Sequence, residues 1–308
     1  MSTFARACAV ALVLMVTSTG CVDRPAAGPR SPIAESGDTD TRLTDTRLTD
    51  TELTDTDRAS LRHAEQVLVA RCMRAEGFSY RAGPRPTPDE SFTVGYLLSD
   101  TAWARRNGYG SRIAARVLAA RRTDPNQLYV DGLSPERRGA YRKALDGGAG
   151  ARTLAVKVPG GGTIGRRLGG CEETAQKQLY GDPATWFRAS RTATNLTRLY
   201  VSELGRDPEF TAAQAAWAAC MRAAGHPYAT PADARNALPA NREDDRAFAA
   251  EVRLATAEAE CAGSSGFARA GRALERRYVD GLRGEYGDEL DTYARLEREA
   301  LTRARSLT

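Results

Sequence analysis

Apolar residues recur at three- and four-residue intervals along most of the chain beyond residue 57. Leu61, Ala64, Leu68 and Cys72 share one face of a helix that Asp57 can cap and that runs to Glu76. Gly77 supplies a left-handed stop, and Phe78 the apolar contact that follows such a stop. Ser134-Pro135-Glu136 opens another helix, with proline at the first helical position and Gly147 beyond the end. Asp182-Pro183 opens a third, through about Leu204. Asp207-Pro208-Glu209 opens a fourth, which runs to Ala224 before Gly225. A fifth, from about Glu243 to Ala262, places Phe248, Val252, Ala255 and Ala259 on one face. Two more are expected near 267–283 and 288–305, and residues 95–122 read as helical with a break at Asn107–Gly110.

One stretch follows a different rule. "LAVKVPGGGTIGRRLGGC" sets β-branched residues around a Pro-Gly-Gly-Gly turn and predicts a hairpin with strands near 153–158 and 163–168. Gly160 to Gly165 formally match G-x-G-x-x-G. That motif cradles a pyrophosphate only between a parallel strand and a helix, so the turn reading is preferred.

The N-terminus carries no such periodicity. Arg6 precedes an apolar run from Ala7 to Val16, too short for a membrane span but of signal-peptide length. Ser18-Thr19-Gly20-Cys21 resembles the lipobox of bacterial lipoproteins, with Ser18 where that motif usually has leucine. The resemblance implies that residues 1–20 are removed and that Cys21 is lipidated, which would anchor the protein to the outer face of the cell membrane. Residues 21–56 form the expected tether. They pass from Pro, Gly, Ala and Ser into five-residue repeats of the "TDTRL" kind, with too little apolar side chain to bury a core.

Charge narrows the partners. The formal net charge is +5. It is almost all arginine, since the only lysines are Lys143, Lys157 and Lys177. Arginines alternate with acids along the helices, so a mixed solvated surface is expected. No basic-aromatic stripe suggests nucleic acid. A membrane reached through the lipid and a cell-wall polymer or envelope protein are the expected partners.

Of six cysteines, Cys8 leaves with the signal peptide and Cys21 takes the lipid. Cys72, Cys171, Cys220 and Cys261 remain, an even number that implies two disulfides in an exported chain. Three pairings are open. The phrase Cys-Met-Arg-Ala-x-Gly occurs at Cys72 and again at Cys220, and each copy is followed by a later cysteine and a helix. The simplest pairing is therefore Cys72–Cys171 with Cys220–Cys261, each worth roughly 4 to 5 kcal/mol in the loop-entropy treatment. The expected fold is mainly α: a disulfide-stabilised helical domain of two related halves, 57–206 and 207–308, with the hairpin in the first. A second echo, "YVDGL" at 129–133 and 278–282, conflicts with that alignment and is set aside as coincidence.

"LSPERRGAYRKALDG", "VPGGGTIGRRLGGCEETAQKQLYGD" and "ACMRAAGHPY" together resemble an uncharacterised family of exported actinobacterial lipoproteins with repeated CMRxxG motifs. The resemblance covers most of residues 57–308. It implies export and anchoring, and no activity.

Candidate chemistry is sparse. His63 lies among polar residues, and His226 occupies the place of Phe78 in the second phrase, where packing explains it. No H-E-x-x-H, G-x-S-x-G or Walker A motif is present, and neither a cofactor nor a metal is expected. Glu172-Glu173, Asp244-Asp245, Glu258 and Glu260 are carboxylates that a glycan hydrolase could use, although a helix start accounts for the first two pairs. Tyr80, Trp103, Tyr109 and Tyr228 are candidate ligand-stacking residues, and segment 92–110, missing from the second half, is the place to look for function. The expected function is a non-catalytic binding or structural module of the cell envelope. The alternative is a cell-wall hydrolase using a carboxylate pair.

Overall fold

A computed structural model of the protein describes residues 52–239 and 244–307. The expected signal peptide, Cys21 and the tether up to residue 51 lie outside the described residues. In chain order the elements begin with α1 (Asp55–Ala75), α2 (Pro88–Ser91), α3 (Thr101–Asn107), α4 (Ser111–Arg122), α5 (Pro125–Asp131) and α6 (Pro135–Asp146). A hairpin follows, β1 (Arg152–Lys157) and β2 (Thr163–Leu168), and then α7 (Gly170–Tyr180), α8 (Pro183–Ala193) and α9 (Thr197–Leu204). The remainder is α10 (Pro208–Ala223), α11 (Pro231–Asn236), α12 (Asp245–Ser264), α13 (Phe267–Gly281) and α14 (Arg283–Arg305). The protein is mainly α with one small hairpin, as its periodicity predicts.

Local chemistry sets most boundaries. Ser134, Asp182, Asp207 and Asp244 each accept a backbone N–H at the start of a helix. The first helix opens earlier than expected. Thr54 and Asp57 form a reciprocal capping box, so the last repeat of the tether starts α1, and Leu53 is already buried in the core. The helix expected from Pro183 to Leu204 is broken. Thr194 Oγ1 donates to Ser190 O and Asn195 Nδ2 to Arg191 O, side-chain bonds that compete with the helical ladder and end α8. The hairpin is antiparallel, with Ala155 opposite Gly165 and Lys157 opposite Thr163.

The twice-written phrase forms the same structure twice. Gly77 and Gly225 have φ of 78° and 85°. Phe78 N donates to Met73 O at 2.9 Å, and His226 N to Met221 O at 2.8 Å, the six-to-one bond of a Schellman stop. Met73 and Met221 are fully buried. Cys72 is bonded to Cys171, which joins α1 to α7, and Cys220 to Cys261, which joins α10 to α12. Two disulfides in one chain indicate an oxidising, extracytoplasmic environment.

Three hydrophobic clusters form the interior. The first gathers Leu61, Leu68, Met73, Phe78, Tyr141 and Leu179 from α1, α6 and α7, and includes Ala300 and Ala304 of α14. The second gathers Trp217, Met221, Leu254, Phe267 and Leu274 from α10, α12 and α13, and includes Leu97 and Tyr200 from the first half of the sequence. The third joins Leu98, Trp103 and Ala104 to Ala255 and Ala259 of α12. Each half of the sequence thus completes the other's core, and the described residues form one compact unit.

The echo "YVDGL" is structural as well. Both copies end a helix: Leu133 N donates to Val130 O at 3.1 Å and Leu282 N to Val279 O at 3.0 Å. Tyr129 and Leu133 pack on the first cluster, Tyr278 and Leu282 on the second.

Candidate functional site

A groove of about 550 Å³ lies beside the hairpin. One wall is the outgoing strand and turn, including Lys157, Val158 and Pro159. The other walls are Arg188 and Thr192 of α8 and Glu285, Tyr286 and Glu289 of α14. The turn opens because Gly160, Gly161 and Gly162 all have positive φ, and around Gly161 and Gly162 nothing lies within 4 Å of where a side chain would begin. Val158 N donates to Gly162 O and Gly161 N to Val158 O, so the turn is held by its own backbone.

The groove carries charge of both signs. Among the described residues, Lys157, Arg188, Glu285 and Glu289 make no ion pair. The Tyr286 phenol pKa is raised by its hydrogen bond to Glu285 and by desolvation, so the hydroxyl keeps its proton. This lining offers ion pairs to a carboxylate and an ammonium at once, together with the apolar surface of Val158 and Pro159. It suits a short zwitterionic or peptide-like ligand.

A second cluster lies where α1, α7 and β2 meet. Glu172, at the start of α7, has its pKa pushed up to about 7, chiefly by burial and also by Asp146 and Glu65, against the opposing pull of Arg166 3.7 Å away. Glu65 is likewise raised by burial, and Gln176 Nε2 donates to it at 2.8 Å. Glu65 adds to the rise at Glu172 because two neighbouring carboxylates resist ionising together.

The remaining sequence candidates are absorbed by the scaffold. Trp103 is 3% exposed, stacks on Phe92 at 4.5 Å and belongs to the third cluster. Tyr80 is 9% exposed and donates to Gln66 Oε1. Tyr228 packs on the second cluster. Tyr109 donates through its hydroxyl to Glu258 Oε2 at 2.6 Å, under the Arg235 guanidinium, 5.1 Å from the ring centre. The four therefore spread over three clusters and do not face one groove. Segment 92–110 is structural, since it covers α12. Glu251 Oε1 accepts from Tyr109 N and Ser111 N, and Glu258 Oε1 accepts from Leu98 N and Arg235. Both carboxylates are 0% exposed.

Asp244 caps α12, Asp245 pairs with Arg112 and Glu260 pairs with Arg105. Among the described residues, no three His, Cys, Asp or Glu side chains could hold a metal ion, and no helix is long and apolar enough to cross a membrane. No family model, no curated protein and no solved structure matches the chain.

The hairpin groove was partly legible in the sequence. The Pro-Gly-Gly-Gly turn is one wall. The walls from α8 and α14 arrive from residues far along the chain and left no local signal.

Proposed function

We propose that the protein is a lipid-anchored extracytoplasmic module that binds a short charged component of the cell envelope, such as a peptide portion of the wall polymer, in the hairpin groove. The observation that carries this reading is the groove's open lining of two cations and two anions around a glycine turn. Export is supported by the disulfides and the apolar N-terminus, and the anchor by the lipobox-like stretch before Cys21. The motifs shared with exported actinobacterial lipoproteins point the same way. The test is equilibrium binding of soluble peptidoglycan fragments to the wild type and to Lys157→Glu/Arg188→Glu. Loss of binding in the variant supports the groove, and equal retention by both proteins rejects it. Replacing Cys21 with Ala releases the protein into the medium if the anchor is correct.

A second reading, hydrolysis of wall glycan, is favoured by one feature, the Glu172 carboxyl whose pKa of about 7 suits a general acid. Release of soluble fragments from purified peptidoglycan, abolished by Glu172→Gln, would establish it.

A further inference from the structure

Between Asp100 and Asp124 the chain carries six arginines and no acidic residue. The stretch by itself holds more positive charge than the whole protein's net +5. Its centre is α4. Only the first turn of that helix is held: Glu251 accepts from Ser111 N, Ile113 packs on the third cluster, and Arg112 lies over the Phe248 ring at 4.0 Å. From Arg116 to Arg122 every residue is exposed, and α4 buries none of its residues.

The exposed part mixes apolar and cationic side chains. At 100° per residue, Ile113, Val117 and Ala120 fall on one side with Ala114 and Leu118 beside them, Arg112, Arg116 and Arg122 lie on the other arc, and Arg121 falls between Val117 and Leu118 on a stem long enough to carry its charge outward. Val117 is 40% exposed and Leu118 52%. Arg105, Arg106 and Arg112 are spent on Glu260, Asp89 and Asp245. Arg116, Arg121 and Arg122 make no ion pair among the described residues. A helix of about a dozen residues without tertiary cover is marginal in water, so this one gains from a surface to lie on.

We infer that α4 is a membrane-contact element that lies in the headgroup region of an anionic bilayer, its arginines on lipid phosphates and Val117 and Leu118 in the acyl boundary. The apolar residues decide between partners. A soluble polyanion would use the arginines and leave Val117 and Leu118 in water, whereas an interfacial helix uses both. The contact is independent of the Cys21 lipid and of the groove's ligand.

The test is co-sedimentation of the Cys21→Ala protein recovered from the medium, so that no lipid contributes, with vesicles of phosphatidylglycerol and phosphatidylcholine. Binding is expected to mixed vesicles and not to pure phosphatidylcholine, and to weaken as salt rises. Arg116→Gln/Arg121→Gln/Arg122→Gln should lower the partition coefficient roughly a hundredfold. Val117→Ser/Leu118→Ser should lower it about tenfold or more, with unchanged thermal unfolding because both side chains are on the surface. No binding to anionic vesicles overturns the proposal. So does wild-type binding by Val117→Ser/Leu118→Ser together with equal affinity for a soluble poly(glycerol phosphate), which would assign the arginines to a polymer. Loss of a concentration-dependent dimer, with vesicle binding intact, would assign the apolar face to self-association and overturn it as well.

Discussion

Arg235 is a residue whose removal should have an outsized and pH-dependent effect. It sits on α11 and reaches three segments at once. One guanidinium nitrogen donates to Gly95 O at 2.8 Å and another to Glu258 Oε1 at 2.7 Å, while the group lies over the Tyr109 ring. Glu258 is fully buried, so Arg235→Met leaves a carboxylate in the core with only Tyr109 and Leu98 N to solvate it. Breaking such a pair costs about 3 to 5 kcal/mol at neutral pH. The sign of the pH dependence follows. Burial already raises the Glu258 pKa above its ordinary 4.5, and Arg235 opposes that rise. Without Arg235 the folded pKa climbs further, and the native state binds the proton more readily than the unfolded chain. Stability is then highest below the unfolded pKa and is lost as pH rises toward the folded one. Chemical denaturation followed by far-UV circular dichroism at pH 5 and pH 7 measures this. The variant should regain roughly 1 to 2 kcal/mol at the lower pH. Adding Glu258→Gln should restore part of the loss at pH 7. Equal destabilisation at both pH values, with no rescue by the second change, would show that Arg235 does not serve the Glu258 charge.

Other outcomes follow from single sites. A side chain at Gly170 would begin 2.4 Å from Ala144 O and 2.6 Å from Leu145 O, at φ +62°, so Gly170→Ala should destabilise by about 3 kcal/mol or more, read by thermal unfolding under oxidising conditions. Met73→Ala and Met221→Ala should cost similar amounts, about 2 to 5 kcal/mol each, because the two residues fill equivalent places; a threefold disparity would deny that equivalence. Glu172 has a folded pKa of about 7 against an ordinary 4.5, so its contribution to stability declines across that window, by at most about 2 kcal/mol once its 32% exposure is allowed for. Glu172→Gln should flatten the pH profile there. Non-reducing peptide mapping should recover Cys72 linked to Cys171 and Cys220 linked to Cys261.

Helix boundaries and stops were legible because their causes are local. A capping Ser or Asp, a proline at the first position and a glycine at the end act within one turn, so "DPE" before α10 and "SPE" before α6 announce themselves. The break at Asn195 was not legible: Thr194 and Asn195 are tolerated inside many helices, and only their competing bonds ended this one. The disulfide pairing was readable because the phrase around Cys72 recurs around Cys220. The partners of the buried carboxylates were not legible, for the same reason of range. Glu258 looks like any acid on a helix until Arg235, Tyr109 and Leu98 close on it from three distant segments.

The chain's own order of residues therefore determined most helical stretches, most of their ends and which cysteines join. Those choices rest on backbone hydrogen bonds and φ angles set within a few residues. Tertiary structure decided that segment 92–110 seals α12, that α14 returns to the first core, that Glu65 and Glu172 share one buried corner, and that a groove opens beside the hairpin. Each depends on side chains separated by tens to hundreds of positions, brought together by the burial of apolar surface, which favours contact without regard to sequence distance.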